Sequence, residues 1–195
     1  LAAELGRRDL NISFGIQVRP DSLSVESISA LADAGLTYVF LGIESDDPAD
    51  LRRWGRPPAP QVWDLIDHLR RRGVGVGVGV LLFHPHATFA GVRRFAARLR
   101  NAGLLNFRSA TNRLDAMPGS DFYNESLRAG EIDPDATGTQ PLPFVDPRVE
   151  AFHEELIVTL EPLGPPSMHA VCELPPLLAQ RGRNKHATTR IERLR

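Results

Sequence analysis

The sequence predicts an α/β fold, a partial (β/α) barrel of TIM type with about four parallel strands and helices outside them. Three observations carry this. Strand-like and helix-like segments alternate with a regular beat, which is how βαβ units read. Three expected helix ends repeat one pattern: Ala34-Gly35-Leu36, Arg72-Gly73-Val74 and Ala102-Gly103-Leu104. Each is a glycine C-cap that runs straight into a strand. Finally, Tyr38-Val39-Phe40-Leu41-Gly42-Ile43 is apolar throughout, as suits a strand covered on both faces, before it breaks into Glu44-Ser45-Asp46-Asp47.

The elements follow in order. Ile12 to Val18 is the first expected strand, ending at Arg19-Pro20. Ser24 N-caps a helix whose apolar positions are Val25, Ile28, Leu31 and Ala32. Thr37 to Ile43 is the second strand, and Asp47-Pro48 opens a short helix through Leu51 and Trp54. Pro60 sits at the start of the next helix, with Val62, Leu65, Ile66 and Leu69 at helical spacing. Val74 to Phe83 is the third strand. Thr88 caps a helix bearing Phe89, Val92, Phe95, Ala96 and Leu99, and Leu104 to Leu114 is the fourth strand. The beat then breaks. Met117-Pro118-Gly119-Ser120 is a turn, Asp121 to Arg128 a short helix, Asp133 to Pro147 a loop, and Val149 to Leu160 a last helix. Residues 1–130 therefore read as an incomplete barrel and 131–174 as a loop and helix extension. Residues 175–195 read as a basic, disordered tail, with Arg181, Arg183, Lys185, Arg190, Arg193 and Arg195 against Glu192.

Composition narrows the function classes. A formal net charge of -1 gives no sign of a nucleic-acid or anionic-membrane surface. No apolar run approaches the ~20 residues that span a bilayer. The one cysteine, Cys172, excludes an internal disulfide framework and any Cys-rich metal or cluster site built from this chain alone. It suits a reducing cytoplasm. A small-molecule substrate is the expected partner. Leu1 to Arg8 reads like the last turns of a helix, so an upstream part of the same protein is a second expected partner.

The candidate site lies where the strands end. In parallel α/β folds, ligands sit outside the carboxyl ends of the strands. Glu44 and Ser45 stand there. The carboxylate can accept hydrogen bonds from a ligand ammonium or ribose, and Ser45 can donate to a carboxylate. Arg19 ends the first strand and Asn112 the fourth. His84 and His86 flank Pro85 at the end of the third. Two histidines at that spacing can bind a metal, but no third ligand is evident, and the favoured reading is a cleft lining. In Val74-Gly75-Val76-Gly77-Val78-Gly79-Val80, glycine recurs at every second position, so one face of that strand is bare. Either a flat ligand lies against Gly75, Gly77 and Gly79, or a neighbouring element packs there.

These residues resemble the radical S-adenosylmethionine (SAM) superfamily. The likeness runs through Val18-Arg19-Pro20-Asp21-Ser22-Leu23, Val39-Phe40-Leu41-Gly42-Ile43-Glu44-Ser45, Leu51-Arg52-Arg53-Trp54-Gly55-Arg56 and Ala116-Met117-Pro118-Gly119-Ser120-Asp121-Phe122-Tyr123. It has the flavour of members with an upstream cobalamin-binding domain. The resemblance implies a six-unit partial barrel of which this chain supplies the third to sixth strands. It implies that Glu44 helps hold SAM through its ribose or amino group, with Ser45 beside it and Arg19 and Arg56 as pocket residues. It also implies a four-iron four-sulfur cluster held by C-x₃-C-x₂-C, which this sequence lacks. The expectation is a radical SAM enzyme fragment, inactive alone, whose intact form uses SAM, a 4Fe-4S cluster and, in this flavour, cobalamin. The alternative is a non-catalytic half-barrel module that binds a nucleoside-like ligand or a partner protein.

Overall fold

The first three expected strands form one parallel sheet in sequence order. In the computed structural model, which describes residues 2–8 and 12–160, β1 (Phe14–Val18), β2 (Leu36–Glu44) and β3 (Gly75–Val80) lie in the order β1-β2-β3. Ile16 pairs with Val39, and Val39 with Val76. Parallel neighbours need a crossover, and helices supply it. A 3₁₀ turn, Pro20–Ser22, and the helix Val25–Asp33 join β1 to β2, and the helices Pro48–Arg53 and Val62–Arg71 join β2 to β3. A further helix, Ala2–Arg8, precedes the sheet. In chain order these are α1 (Ala2–Arg8), α2 (Val25–Asp33), α3 (Pro48–Arg53) and α4 (Val62–Arg71).

The caps explain the boundaries. Ser24 and Ser27 exchange bonds as a capping box at the start of α2, at 3.2 and 2.9 Å. Gly35 follows α2 with φ +105°, and a Cβ there would collide with the carbonyl oxygen of Ile12, so only glycine makes this turn into β2. At the end of α4, Val74 N–H donates to Leu69 and Gly73 N–H to Arg70, both at 2.9 Å, closing a Schellman motif. Pro60 falls just before α4 rather than within its first turn.

The sheet has two unlike faces. Val39, Leu41, Ile43, Val76, Val78 and Val80 are buried, as are Ile28 of α2 and Leu65, Ile66 and Leu69 of α4. Burying each such side chain contributes about 1.5–3 kcal/mol, so this face holds the first unit together. The opposite face carries Tyr38, Phe40, Gly42 and Glu44 of β2 beside Gly75, Gly77 and Gly79 of β3, and these are only half-buried.

The chain divides after Val80, and the second unit covers residues 81–160 of the described chain. It contains α5 (Phe89–Asn101), α6 (Phe107–Thr111), β4 (Asp115–Ala116), α7 (Asp121–Ala129), β5 (Gln140–Pro141) and α8 (Pro147–Leu160). One core gathers Ala116, Ile132 and Leu142 under Phe122, Tyr123 and Leu127. Another sets the His153 ring at a tilt against Phe83, with ring centroids 4.5 Å apart, and His153 Nε2 lies 3.1 Å from the Thr111 carbonyl oxygen.

The fourth expected strand, Leu104 to Leu114, is not a strand. Asn106 caps α6 through its side chain, which accepts from Ser109 N–H at 2.9 Å, while Ser109 Oγ accepts from Asn106 N–H at 2.8 Å. That reciprocal capping box offers the backbone a helical turn in place of a ladder. What remains of the strand is a single parallel bridge between Phe83 and Arg113, with Leu114 N–H donating to the Phe83 carbonyl at 2.8 Å. The third strand is correspondingly shorter than expected and ends at Val80. Asp115–Ala116 pairs antiparallel with Gln140–Pro141, inside the segment expected to be all loop. The basic tail and Cys172 lie outside the described residues.

Candidate functional site at the carboxyl end of the central strand

β2 ends in an unusual piece of backbone. Gly42 pairs with Gly79, but the next partner of Val80 is Glu44, so Ile43 is an inserted bulge residue. Ser45 N–H then donates to the Ile43 carbonyl at 2.8 Å, closing a three-residue turn around Glu44. Glu44 has φ +63°, the one described non-glycine residue with positive φ. A three-residue turn of that sign is rare and strained.

This geometry places the Glu44 carboxylate. It folds back along the strand, with Oε1 2.9 Å from where a Cβ of Gly42 would stand. Among the described residues no side chain or backbone group donates a hydrogen bond to it. Burial pushes its carboxyl above the ordinary glutamate value, and the positive charge of Arg56 partly offsets that. The result is a half-buried carboxylate whose hydrogen-bonding capacity is unspent.

The neighbouring groups are engaged within the chain. Ser45 is buried; its Oγ donates to Asp50 at 3.1 Å and accepts from Asp47 N–H at 3.0 Å. Its one proton is therefore committed to Asp50. Asp47 in turn caps α3 through Ala49 N–H at 2.8 Å. Arg19 ends β1 and grips Asp21 with Nε at 3.0 Å and Nη2 at 2.7 Å. The Arg19 hydrogen bond holds the Asp21 carboxyl below the ordinary aspartate value, with a smaller pull from Arg56. Arg56 follows Gly55 in a second Schellman motif, with Arg56 N–H on Leu51 at 2.8 Å and Gly55 N–H on Arg52 at 3.1 Å. The first unit thus links Arg19, Asp21, Arg56 and Glu44 electrostatically at the strand ends.

The glycines of β3 have visible neighbours. A Cβ at Gly77 would collide with the Tyr38 hydroxyl and approach the Phe40 ring at 3.2 Å. A Cβ at Gly79 would meet the same ring at 3.0 and 3.2 Å. Tyr38 pairs with Gly75 and Phe40 with Gly77, so both rings lean across β3 toward its carboxyl end. The bare face is therefore packed by aromatic side chains of the adjacent strand. Sequence reading missed Tyr38 and Phe40 as partners of the glycines; their shared parity along β2 was the available signal.

The remaining candidates belong to the second unit. His84 is buried while His86 is exposed, so the two do not present one metal-binding face. The expectation that Asn112 ends a strand is overturned: it caps the C-terminus of α6, its N–H donating to Arg108 at 3.0 Å. Arg113, next to it, lies over the Phe144 ring at 4.3 Å and donates to the Leu142 carbonyl.

Comparison with known proteins bears on the fold. No protein-family model matches the chain. Among solved structures it is similar to the cobalamin-dependent S-adenosylmethionine radical enzyme OxsB with aqua-cobalamin bound, with a TM-score of 0.66 and 13% identity over 98% of this chain. It is also similar to the radical S-adenosylmethionine methyltransferase TsrM from Kitasatospora setae with cobalamin and a [4Fe-4S] cluster bound, with a TM-score of 0.56 and 20% identity over 74% of this chain. The fold is radical SAM-like. The chain spans 34% of the OxsB chain and 31% of the TsrM chain. The oxygen-independent coproporphyrinogen III oxidase of Cereibacter sphaeroides is 30% identical over 86 residues, which is 43% of this chain and 19% of that protein. Among the described residues, no helix is long and apolar enough to cross a membrane.

Proposed function

We propose that this chain is the SAM-holding part of a radical SAM enzyme core, with Glu44 as its ligand-binding acid. The observation that carries the reading is Glu44 itself: a half-buried carboxylate without a hydrogen-bond donor among the described residues, kept in a strained turn at the carboxyl end of the central parallel strand. Strain of this kind persists where the surroundings enforce it, and it clusters at ligand sites. The carboxylate accepts from the ribose hydroxyls or ammonium of SAM. Arg56 supplies positive charge nearby, Arg19 joins it at the strand ends through their shared partner Asp21, and Ser45 holds the turn that aims the acid.

The donor set fits SAM and does not fit the cluster. The sequence has one cysteine, and a site-differentiated four-iron cluster needs three thiolates. The thiolates must come from another part of the protein. When bound, cluster and SAM supply reductive cleavage to a 5′-deoxyadenosyl radical; this chain's share is to bind and orient SAM and shield it from water. The single cysteine equally favours the second reading, a non-catalytic module that binds a nucleoside-like ligand.

Two experiments test this. Calorimetry should show saturable SAM binding by the chain, weakened in Glu44→Ala; equal binding by both proteins would refute the role of Glu44. The 195-residue chain with dithionite should make no 5′-deoxyadenosine, and joining it to a segment bearing C-x₃-C-x₂-C should restore cleavage. Cluster assembly without cleavage in that longer protein would favour the non-catalytic module.

A further inference from the structure

Gly42 is the place where the backbone of β2 and the side chain of Glu44 meet. A Cβ at position 42 would lie 2.9 Å from Glu44 Oε1 and 3.9 Å from its carboxyl carbon, with no other described residue beyond its two chain neighbours within 4 Å. The Gly42 φ is not positive, so its backbone alone does not demand glycine. Across the sheet its partner is Gly79, whose own Cβ position is held by the Phe40 ring and lies 3.8 Å from the Gly42 Cα. Two glycines therefore stand side by side. The Phe40 ring leans over one, and the Glu44 carboxylate folds back over the other.

We propose that Gly42 is the positioning residue for the Glu44 carboxylate: its bare Cα forms the slot into which the acid folds, and that slot sets the direction from which the acid meets its ligand. The positive φ of Glu44 and the bulge at Ile43 turn the side chain back along β2, and only a glycine at 42 leaves room where it arrives. This rests on the reading of Glu44 as the SAM-holding acid, and it predicts that position 42 acts on ligand binding solely through position 44.

The test is Gly42→Ala, made in the wild-type chain and in Glu44→Ala. The added methyl meets only the end of a flexible side chain, so the circular dichroism spectrum and melting temperature should stay near those of the parent. SAM affinity should fall about tenfold in the wild-type background, the size of one charge-assisted hydrogen bond. It should not fall further in Glu44→Ala. The Glu44 carboxyl, followed by ¹³C NMR, should titrate at lower pH in Gly42→Ala, because the acid leaves its buried slot. An unchanged Glu44 titration overturns the proposal, as does an unfolded Gly42→Ala chain. If Gly42→Ala moves the titration but Glu44→Ala leaves SAM affinity unaltered, the positioning holds and the SAM reading fails.

Discussion

Replacing Glu44 by glycine should stabilise the protein relative to replacing it by alanine, the reverse of what a strand residue ordinarily does. Both changes remove the half-buried carboxylate, so its desolvation drops out of the comparison. Alanine keeps a Cβ at φ +63°, where an L-residue carries roughly 1–2 kcal/mol of steric cost. Glycine relieves that cost and adds about 0.5–1 kcal/mol of unfolded-chain entropy. The balance leaves Glu44→Gly more stable than Glu44→Ala by about 0.5–1 kcal/mol. With a urea m-value of about 2 kcal/mol/M, that is a midpoint shift on the order of 0.4 M. Urea unfolding of the two variants, followed by circular dichroism with equal m-values, reads it directly. If Glu44→Ala matches or exceeds Glu44→Gly, the turn is not strained and the argument from strain to ligand site collapses. Both variants should lose SAM affinity alike, because both lack the acid.

Two further outcomes follow from the same geometry. Burial raises the Glu44 carboxyl above the ordinary glutamate value, so the native state keeps a proton that the unfolded chain releases. Stability of the wild type relative to Glu44→Gln should therefore fall as pH rises from the ordinary glutamate range through the raised native one, and stay level above it; a difference that is flat with pH would contradict the burial of this carboxyl. Gly77→Ala should cost about 1–3 kcal/mol, since its Cβ would displace the Tyr38 ring, and Tyr38→Ala should absorb most of that cost in a double-mutant cycle on thermal unfolding.

The parallel sheet was legible because its signals are local and repeated. Apolar strands, helical spacing and glycine C-caps at Gly35 and Gly73 agree with one another across β1, β2 and β3. The segment after Gly103 carries the same cap but not the same outcome. There Asn106 and Ser109 form a capping box, and a four-residue polar spacing outweighs the apolar look of Leu104, Leu105 and Phe107. The place of the candidate acid was legible, since an acid directly after an apolar run stands at a strand end, as Glu44 does. Its shape was not. The bulge at Ile43 and the positive φ of Glu44 depend on how β2 meets β3, a long-range fact that no local pattern encodes. The register that sets Gly79 beside Gly42, and brings both rings of β2 over β3, is of the same kind. Ser45 read as a ligand donor because its commitment to Asp50, five residues on, follows from the turn into α3.

The proposed function requires that the Glu44 carboxylate itself meet SAM. The most direct measurement is a titration of SAM into the chain labelled with ¹³C at the glutamate carboxyl carbons. The Glu44 resonance, assigned by its loss in Glu44→Gln, should shift saturably with SAM, while that of Glu26, near the start of α2, should not move. A Glu44 resonance that stays fixed at SAM concentrations where calorimetry shows the chain saturated would contradict the account.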